Sequence, residues 1–454
     1  MTAKSGFEAF IERWYLSVAL SLWFLMPEVR RLIDWQVGPN AISLLSVIPL
    51  LFLVPLIVPV LRSLAAPQIT LPYRIICYSW LFAFVYGLVV AFAAGGRLEA
   101  IFQFLQFCLP FVCGTWVLTR RASRAETFAQ INGTFLWLGA VIAAYGIYQF
   151  VAPPPWDVAW VNFSGMASIG VPEPFGLRVF STLNSPGTAA VFFVAVALIG
   201  LHGLDLRRPG PVISVMLCIA ALALTNTRSA WLALVVGIVT FFIVSPKRAV
   251  PALAMAAISL ASIVFAINAS TLLGGQDVST QLIARLDTLS DVDSDYSVND
   301  RRRESAEAVH KALAEPLGQG LGTVGTATKL GAGGGELVLD NGYLSRFVEM
   351  GVAGFVAYLI TLGCGLVFCF RALIRAGAQN DRSLQRIAAT ALAVQMALLG
   401  LDLSGDAHLA LAGLIFWLLV ALSLRHEPED DEWEPAQIVE GRAPPVRPNR
   451  TSLA

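Results

Sequence analysis

Residues 187–244 read GTAAVFFVAVALIGLHGLDLRRPGPVISVMLCIAALALTNTRSAWLALVVGIVTFFIV. Three apolar runs, near 187–204, 211–226 and 230–246, follow one another almost without pause. One break carries Arg207 and Arg208, the other carries Arg228. A helix needs about 20 apolar residues to cross a hydrocarbon core about 30 Å thick. Runs approaching that length, joined by such short polar breaks, point to membrane spans.

Working outward, similar runs lie near 14–27, 40–61, 75–95, 99–118, 128–151, 250–269, 342–370, 387–404 and 407–424. The expected fold is an all-α polytopic membrane protein with about 12 transmembrane helices and a large outer loop containing short helices. The transmembrane part occupies 1–425. Composition agrees: 56% of the 454 residues are hydrophobic and only 14% charged, against about 25% charged in soluble chains. The formal net charge is zero and no basic tract occurs, so no nucleic-acid partner is expected. All six cysteines fall in apolar runs, which argues against a disulfide framework or a zinc site. The first apolar run lacks a small-residue cleavage site and reads as a retained span.

Cytoplasmic connections carry the excess of Lys and Arg. Arg120, Arg121 and Arg124, then Arg207 and Arg208, then Lys247 and Arg248, then Arg371, Arg375, Arg382 and Arg386 mark alternate connections. Those connections are expected inside, with both termini cytoplasmic. Arg30 and Arg31 fall on the wrong side of this scheme. Two long segments fall outside: a first outer loop at 152–186 and a larger one at 270–341. Long loops in compact proteins usually carry function. The tail at 426–454 is charged and Pro-rich and reads as disordered.

In the larger loop, Asn299 or Asp300 is placed to cap a helix that Glu315-Pro316 ends. The following LGQGLGTVGTATKLGAGGGE is expected to be irregular. Candidate chemistry gathers around this loop. Arg301, Arg302 and Arg303 suit a phosphate, which guanidinium groups bind in a bidentate and permanently charged way; the plainer reading is a solvated face paired with Glu304 and Glu307. Arg178 and Arg228 sit at span ends, where charge is costly and tends to face a cavity or partner; otherwise they snorkel to headgroups. Asp340 and Asn341 precede a span, so either is placed to cap it, or Asp340 to accept a proton. Arg346 and Glu349 have the spacing of a helical pair. Asp402, Asp406 and His408 flank the last outer turn and read as caps. The run DVDSDYSVNDRR lacks the Gly and Glu that a calcium loop requires.

Taken in order, four segments resemble the O-antigen ligase and polymerase superfamily of bacterial inner-membrane proteins. They are RVFSTLNSPGTAA, LTNTRSAWLAL, the spacing from Arg301 to Pro316 and PLGQGLG, and DNGYLSRFVEMG. The resemblance covers roughly 175–360. It implies a glycosyltransferase that uses an undecaprenyl-diphosphate-linked oligosaccharide, with the two outer loops in the periplasm. The larger loop shows no closed carboxylate site, so no metal or other cofactor is expected. The resemblance also implies a flippase and a chain-length regulator as partners. Ligases of the family carry a His where this chain has Asp340, so the resemblance points to a polymerase of exopolysaccharide, capsule or O-antigen. The roles it implies are Arg178, Arg228, Arg302 and Arg303 for the diphosphate, Arg301 beside them in catalysis, Asp340 as base and Asn341 as positioning group. The alternatives are a ligase or protein O-oligosaccharyltransferase of the same superfamily, or a lipid-linked oligosaccharide transporter.

Overall fold

The computed structural model describes residues 6–38, 44–64, 69–120, 122–201, 208–245, 257, 296–330 and 339–425. The expected span at 250–269 apart from residue 257, all of 270–295 and the tail at 426–454 lie outside the described residues. Among those described, the regular elements are helical, apart from one isolated bridge between Gly170 and Leu177. In chain order the helices are α1 (Gly6–Val37), α2 (Ile48–Leu53), α3 (Ile57–Leu64), α4 (Leu71–Ala93) and α5 (Leu98–Leu118). There follow α6 (Arg124–Val151), α7 (Pro155–Ser164), α8 (Pro186–Leu201), α9 (Pro209–Leu224) and α10 (Arg228–Val244). The last four are α11 (Tyr296–Ala314), α12 (Gly342–Ala378), α13 (Arg382–Leu401) and α14 (Ala410–Leu424).

Six helical stretches are long and apolar enough to cross a membrane: Leu45–Leu64, Leu71–Ala93, Leu98–Leu118, Arg124–Val151, Gly342–Ala378 and Arg382–Ser404. Four more, Pro186–Leu201, Pro209–Leu224, Arg228–Val244 and Ala412–Leu424, are apolar but shorter. The chain is a membrane protein, and its outer surface says so. On α4 the apolar side chains Tyr78, Phe82, Val85, Val89 and Phe92 are exposed along one face, a stripe that water would not tolerate and lipid accepts. The expected first span proves to be the centre of a longer helix, α1, which carries Glu28, Arg30, Arg31 and Asp34 in its last turns. The second run remains one helical stretch that tightens into a 3-10 turn at Val54–Leu56, around Pro55, between α2 and α3, since proline removes an N–H that a regular α-helix uses.

Small residues bring the helices together, as is common between membrane helices. Gly114 of α5 lies directly against the backbone of Trp417 on α14. Gly237 of α10 faces the Ala393 carbonyl of α13, where a methyl would come within 3.2 Å. Arg124 at the start of α6 pairs with Asp381 at the start of α13 (3.0 Å), and Phe150 at the far end of α6 accepts from Phe175 N–H (2.9 Å), so the segment before α8 and the end of α13 at Asp402 reach the same end of the bundle.

That end is shaped by a broken helix. The two halves of α12 meet at a kink, where Gly351 has φ 58° and ψ −166°. The Gly-rich segment after α11 threads into this break. Val352 N–H donates to Pro316 O (2.9 Å), Gln319 N–H to Val348 O (2.9 Å) and Gly320 N–H to Glu349 O (2.9 Å). The carbonyls that the kink releases are thereby satisfied, the condition for irregular backbone at membrane depth. A side chain at Gly351 would strike Pro316 O. The loop helix α11 begins at Tyr296, a turn earlier than Asn299 or Asp300 would set it. Ala308 and Ala312 pack with Val324, Val348, Leu344 and Phe347, which seats it on the first half of α12.

Candidate functional site

Two groups of polar residues stand at the loop-bearing end. The first surrounds Arg178. Its Nε donates to Thr225 O (3.0 Å), its Nη1 to Ser168 O (2.8 Å), and its Nη2 to Asn226 O (3.1 Å) and Thr227 Oγ1 (3.3 Å). Val179 N–H adds a bond to Leu224 O (3.1 Å). The side chain therefore clamps the turn between α9 and α10, where Asn226 takes φ 52°, a conformation Asn tolerates better than most residues. Arg228 starts α10 immediately afterwards and is partly exposed. Two of the expected arginines are thus brought together, beside a helix N-terminus whose free N–H groups favour an anion.

The second group stands on the first half of α12. Asn341 caps it: its side chain accepts from Leu344 N–H at 3.1 Å. Asp340 lies one residue outside the cap and is exposed. A methyl on Gly342 would come within 3.0 Å of Asp402 Oδ1 and 3.1 Å of Asp406 Oδ1, so the start of α12 sits against the turn between α13 and α14. Arg346 is buried there. It pairs with Glu349 and with Asp406 Oδ2 at 3.2 Å, and lies 4.6 Å over the Phe107 ring. Glu349 Oε1 accepts from Gly322 N–H (2.8 Å), which ties the pair to the Gly-rich segment. Asp402 Oδ2 meets His408 Nδ1 (2.6 Å) and receives the Tyr358 hydroxyl (3.2 Å), while its Oδ1 accepts from Ala407 N–H (2.7 Å).

Arg346 and Glu349 pair as their spacing suggests. Asp402 does brace a turn, but it and Asp406 also join the buried network around Arg346 and His408, which reading them as caps misses. Arg301, Arg302 and Arg303 lie on α11; their side chains are outside the described residues.

One further cluster escapes a motif reading altogether. Arg31 is buried between Glu28 and Asp157, with Nε 2.8 Å from Asp157 Oδ1. It donates to the Ser181 and Leu183 carbonyls, and it lies 4.9 Å over the Phe180 ring. The signal was the broken charge rule. An arginine at the wrong end of a span needs a buried partner, and Arg31 has two.

The fold and these clusters define a class: a polytopic helical membrane protein with buried clusters of ionisable groups at the ends of its spans. Residues 213–359 match the O-antigen ligase family model, which supports placement in the O-antigen ligase and polymerase superfamily. The matched stretch runs from α9 to the middle of α12 and holds Arg228, Arg301, Asp340, Asn341, Arg346 and Glu349. Arg31, Arg178 and the Asp402–His408 turn lie beyond it. No curated protein matches the chain.

Proposed function

We propose that this chain is a polysaccharide polymerase. It moves a growing glycan from undecaprenyl diphosphate to the hydroxyl of an incoming lipid-linked repeat unit. The observation that carries the reading is the Arg178 clamp, which presents Arg228 at a helix N-terminus on the same end of the bundle as Asp340. In this scheme the acceptor oxygen attacks the anomeric carbon of the donor. The bond from that carbon to the phosphate oxygen breaks, and the diphosphate leaves with the electron pair. Arg228, with the charge of Arg178 beside it and Arg301, Arg302 and Arg303 from α11, stabilises the negative charge of the leaving group. The Asp340 carboxylate takes the acceptor proton. The working end faces the periplasm of the inner membrane, both termini are cytoplasmic, and the substrate arrives through a flippase with a chain-length regulator alongside.

The family description favours a second reading, a ligase that transfers finished glycan to another acceptor. Deletion of the gene separates the two. A polymerase mutant accumulates lipid-linked single repeats; a ligase mutant accumulates lipid-linked polymer, and that outcome overturns the polymerase reading. Orientation is tested by alkaline phosphatase fusions at Asp277 and Gln379. Activity is expected only at Asp277.

A further inference from the structure

The cluster around Arg31 contains a hydrogen-bond count that does not close unless a proton is added. Tyr145 Oη lies 2.6 Å from Glu28 Oε1 and 2.8 Å from Asp157 Oδ2. A phenol has one proton and serves one carboxylate at a time. With both acids ionised, the second contact would set lone pairs against lone pairs in a buried site, which is costly. The other donors do not resolve this. Trp156 Nε1 donates to Glu28 Oε1 (2.7 Å) and to Tyr145 Oη (2.9 Å). Gln149 Nε2 donates to Asp157 Oδ2 at 2.6 Å. Its orientation is set by its oxygen, which accepts from Phe180 N–H (3.2 Å) and Ser181 N–H (2.8 Å). The charge count agrees. Arg31 is one cation facing Glu28 of its own helix and Asp157 of α7, with Tyr145 of α6 as the remaining titratable group. Arg30 and Asp34 pair with each other one turn further along α1 (3.1 Å).

We propose that Asp157 carries the extra proton, and that the neutral cluster is a pH-responsive anchor positioning the segment from Arg178 to Leu183. Asp157 is the member chosen because its side chain is 0% exposed, against 11% for Glu28. The protonated acid donates to Tyr145 Oη, and Tyr145 then donates to Glu28. Both contacts of Tyr145 with the two carboxyl groups then become proper hydrogen bonds. Arg31 keeps its hold on the Ser181 and Leu183 carbonyls, and Gln149 keeps Phe180 and Ser181 in place. Arg178 lies two residues before Phe180, so the anchor sets where its clamp on the turn before Arg228 begins. Burial pushes the Asp157 carboxyl up to about 6, against the pull of Arg31. Because the folded state binds this proton more tightly than the unfolded chain, the anchor is firmest below the ordinary carboxylate range. It weakens as pH rises through about 6.

The proton count is independent of the enzymatic reading; the positioning of Arg178 for transfer rests on it. The test uses the full chain, purified in detergent, with infrared spectroscopy of protonated carboxyls and thermal unfolding between about pH 5 and pH 8. The wild type is expected to show a carboxyl band that fades as pH rises, with a falling unfolding midpoint. Asp157→Asn, whose amide can donate to Tyr145 in place of the acid, is expected to lose the band and most of the pH dependence of the midpoint. Its glycan transfer should match wild type at acid pH and exceed it at alkaline pH. Glu28→Gln restores the balance with Arg31, so its band should fade at lower pH than in wild type. A band that survives Asp157→Asn and disappears in Glu28→Gln places the proton on Glu28 and overturns the assignment. No titrating band in the wild type overturns the proton itself. A titrating band with transfer indifferent to it overturns the positioning role. A wild type that transfers no glycan at all, with the band as expected, counts against the polymerase reading alone.

Discussion

Arg31 and Arg346 are built from the same parts. Each is buried, each has a glutamate three residues away on its own helix, and each has an aspartate from another element. Each also lies over an aromatic ring. They differ in how they reach the loops. Arg31 donates directly to the Ser181 and Leu183 carbonyls of the first loop. Among the described residues, Arg346 reaches the second loop through Glu349, whose carboxylate accepts the Gly322 N–H. A guanidinium that holds a loop by itself ties the loop to its charge. One that works through a carboxylate makes that carboxylate the joint. Neutralising the glutamate should therefore matter more at Arg346 than at Arg31.

The largest effects should come from removing the arginines. Arg31→Ala and Arg346→Ala each leave buried carboxylates without a cation, a loss of about 3–5 kcal/mol where a buried pair is broken. Both variants are expected to give little folded protein by size-exclusion in detergent. Gly351→Ala belongs with them, since it requires a positive φ and drives a methyl into Pro316 O. The comparison is sharpened by Glu349→Gln and Glu28→Gln. The first should lower the thermal midpoint more than the second, because Glu28→Gln relieves an excess of acid whereas Glu349→Gln weakens the grip on Gly322. Equal losses would show that the two clusters work alike.

How much of this was legible follows from the range of the interactions. The apolar runs are local, so the helices that become α4, α5 and α6 are visible in the chain. The pairing of Arg346 with Glu349 is local too, one helical turn apart. The break at Gly351 is not. GVAGFVAYL reads as an ordinary span, and only the docking of Pro316–Gly320 from the preceding loop opens it. Likewise α2 to α6 all intervene between Arg31 and Asp157, and nothing near either residue names the other. Asp340 and Asn341 were equal candidates for the cap; the geometry chooses Asn341.

Arg178 and Arg228 should separate stability from activity. Arg178→Ala removes donors to three carbonyls and a hydroxyl. Because the site is partly exposed, the loss should be about 1–3 kcal/mol, measured as a lowered midpoint, together with loss of polymer. Arg228→Ala should abolish polymer with folded protein still recovered in detergent. Lysine at either position should rescue only partly, since it cannot reproduce the bidentate fork. Full polymer from both alanine variants would remove the diphosphate role.

The smallest effect on stability is expected at Asp340, next door to one that is measurable. Asn341→Ala removes the bond to Leu344 N–H and should cost about 1 kcal/mol, the usual value of an N-cap. Asp340→Asn removes a charge from an exposed position outside the cap, so the midpoint should hardly move. Its chemistry should change completely if the carboxylate is the base. General base catalysis is typically worth about 10²–10⁴-fold, enough to turn polymer into accumulated single repeats at normal protein level. Because the cap belongs to Asn341, loss of polymer in Asp340→Asn would not be explained by a frayed α12. Asp340→His tests the same site from the other side, since an imidazole at the position where ligases of this superfamily carry histidine can still accept a proton. Normal polymer from Asp340→Asn would remove the base assignment and leave Arg228 and its clamp as the part of the site that acts on the diphosphate.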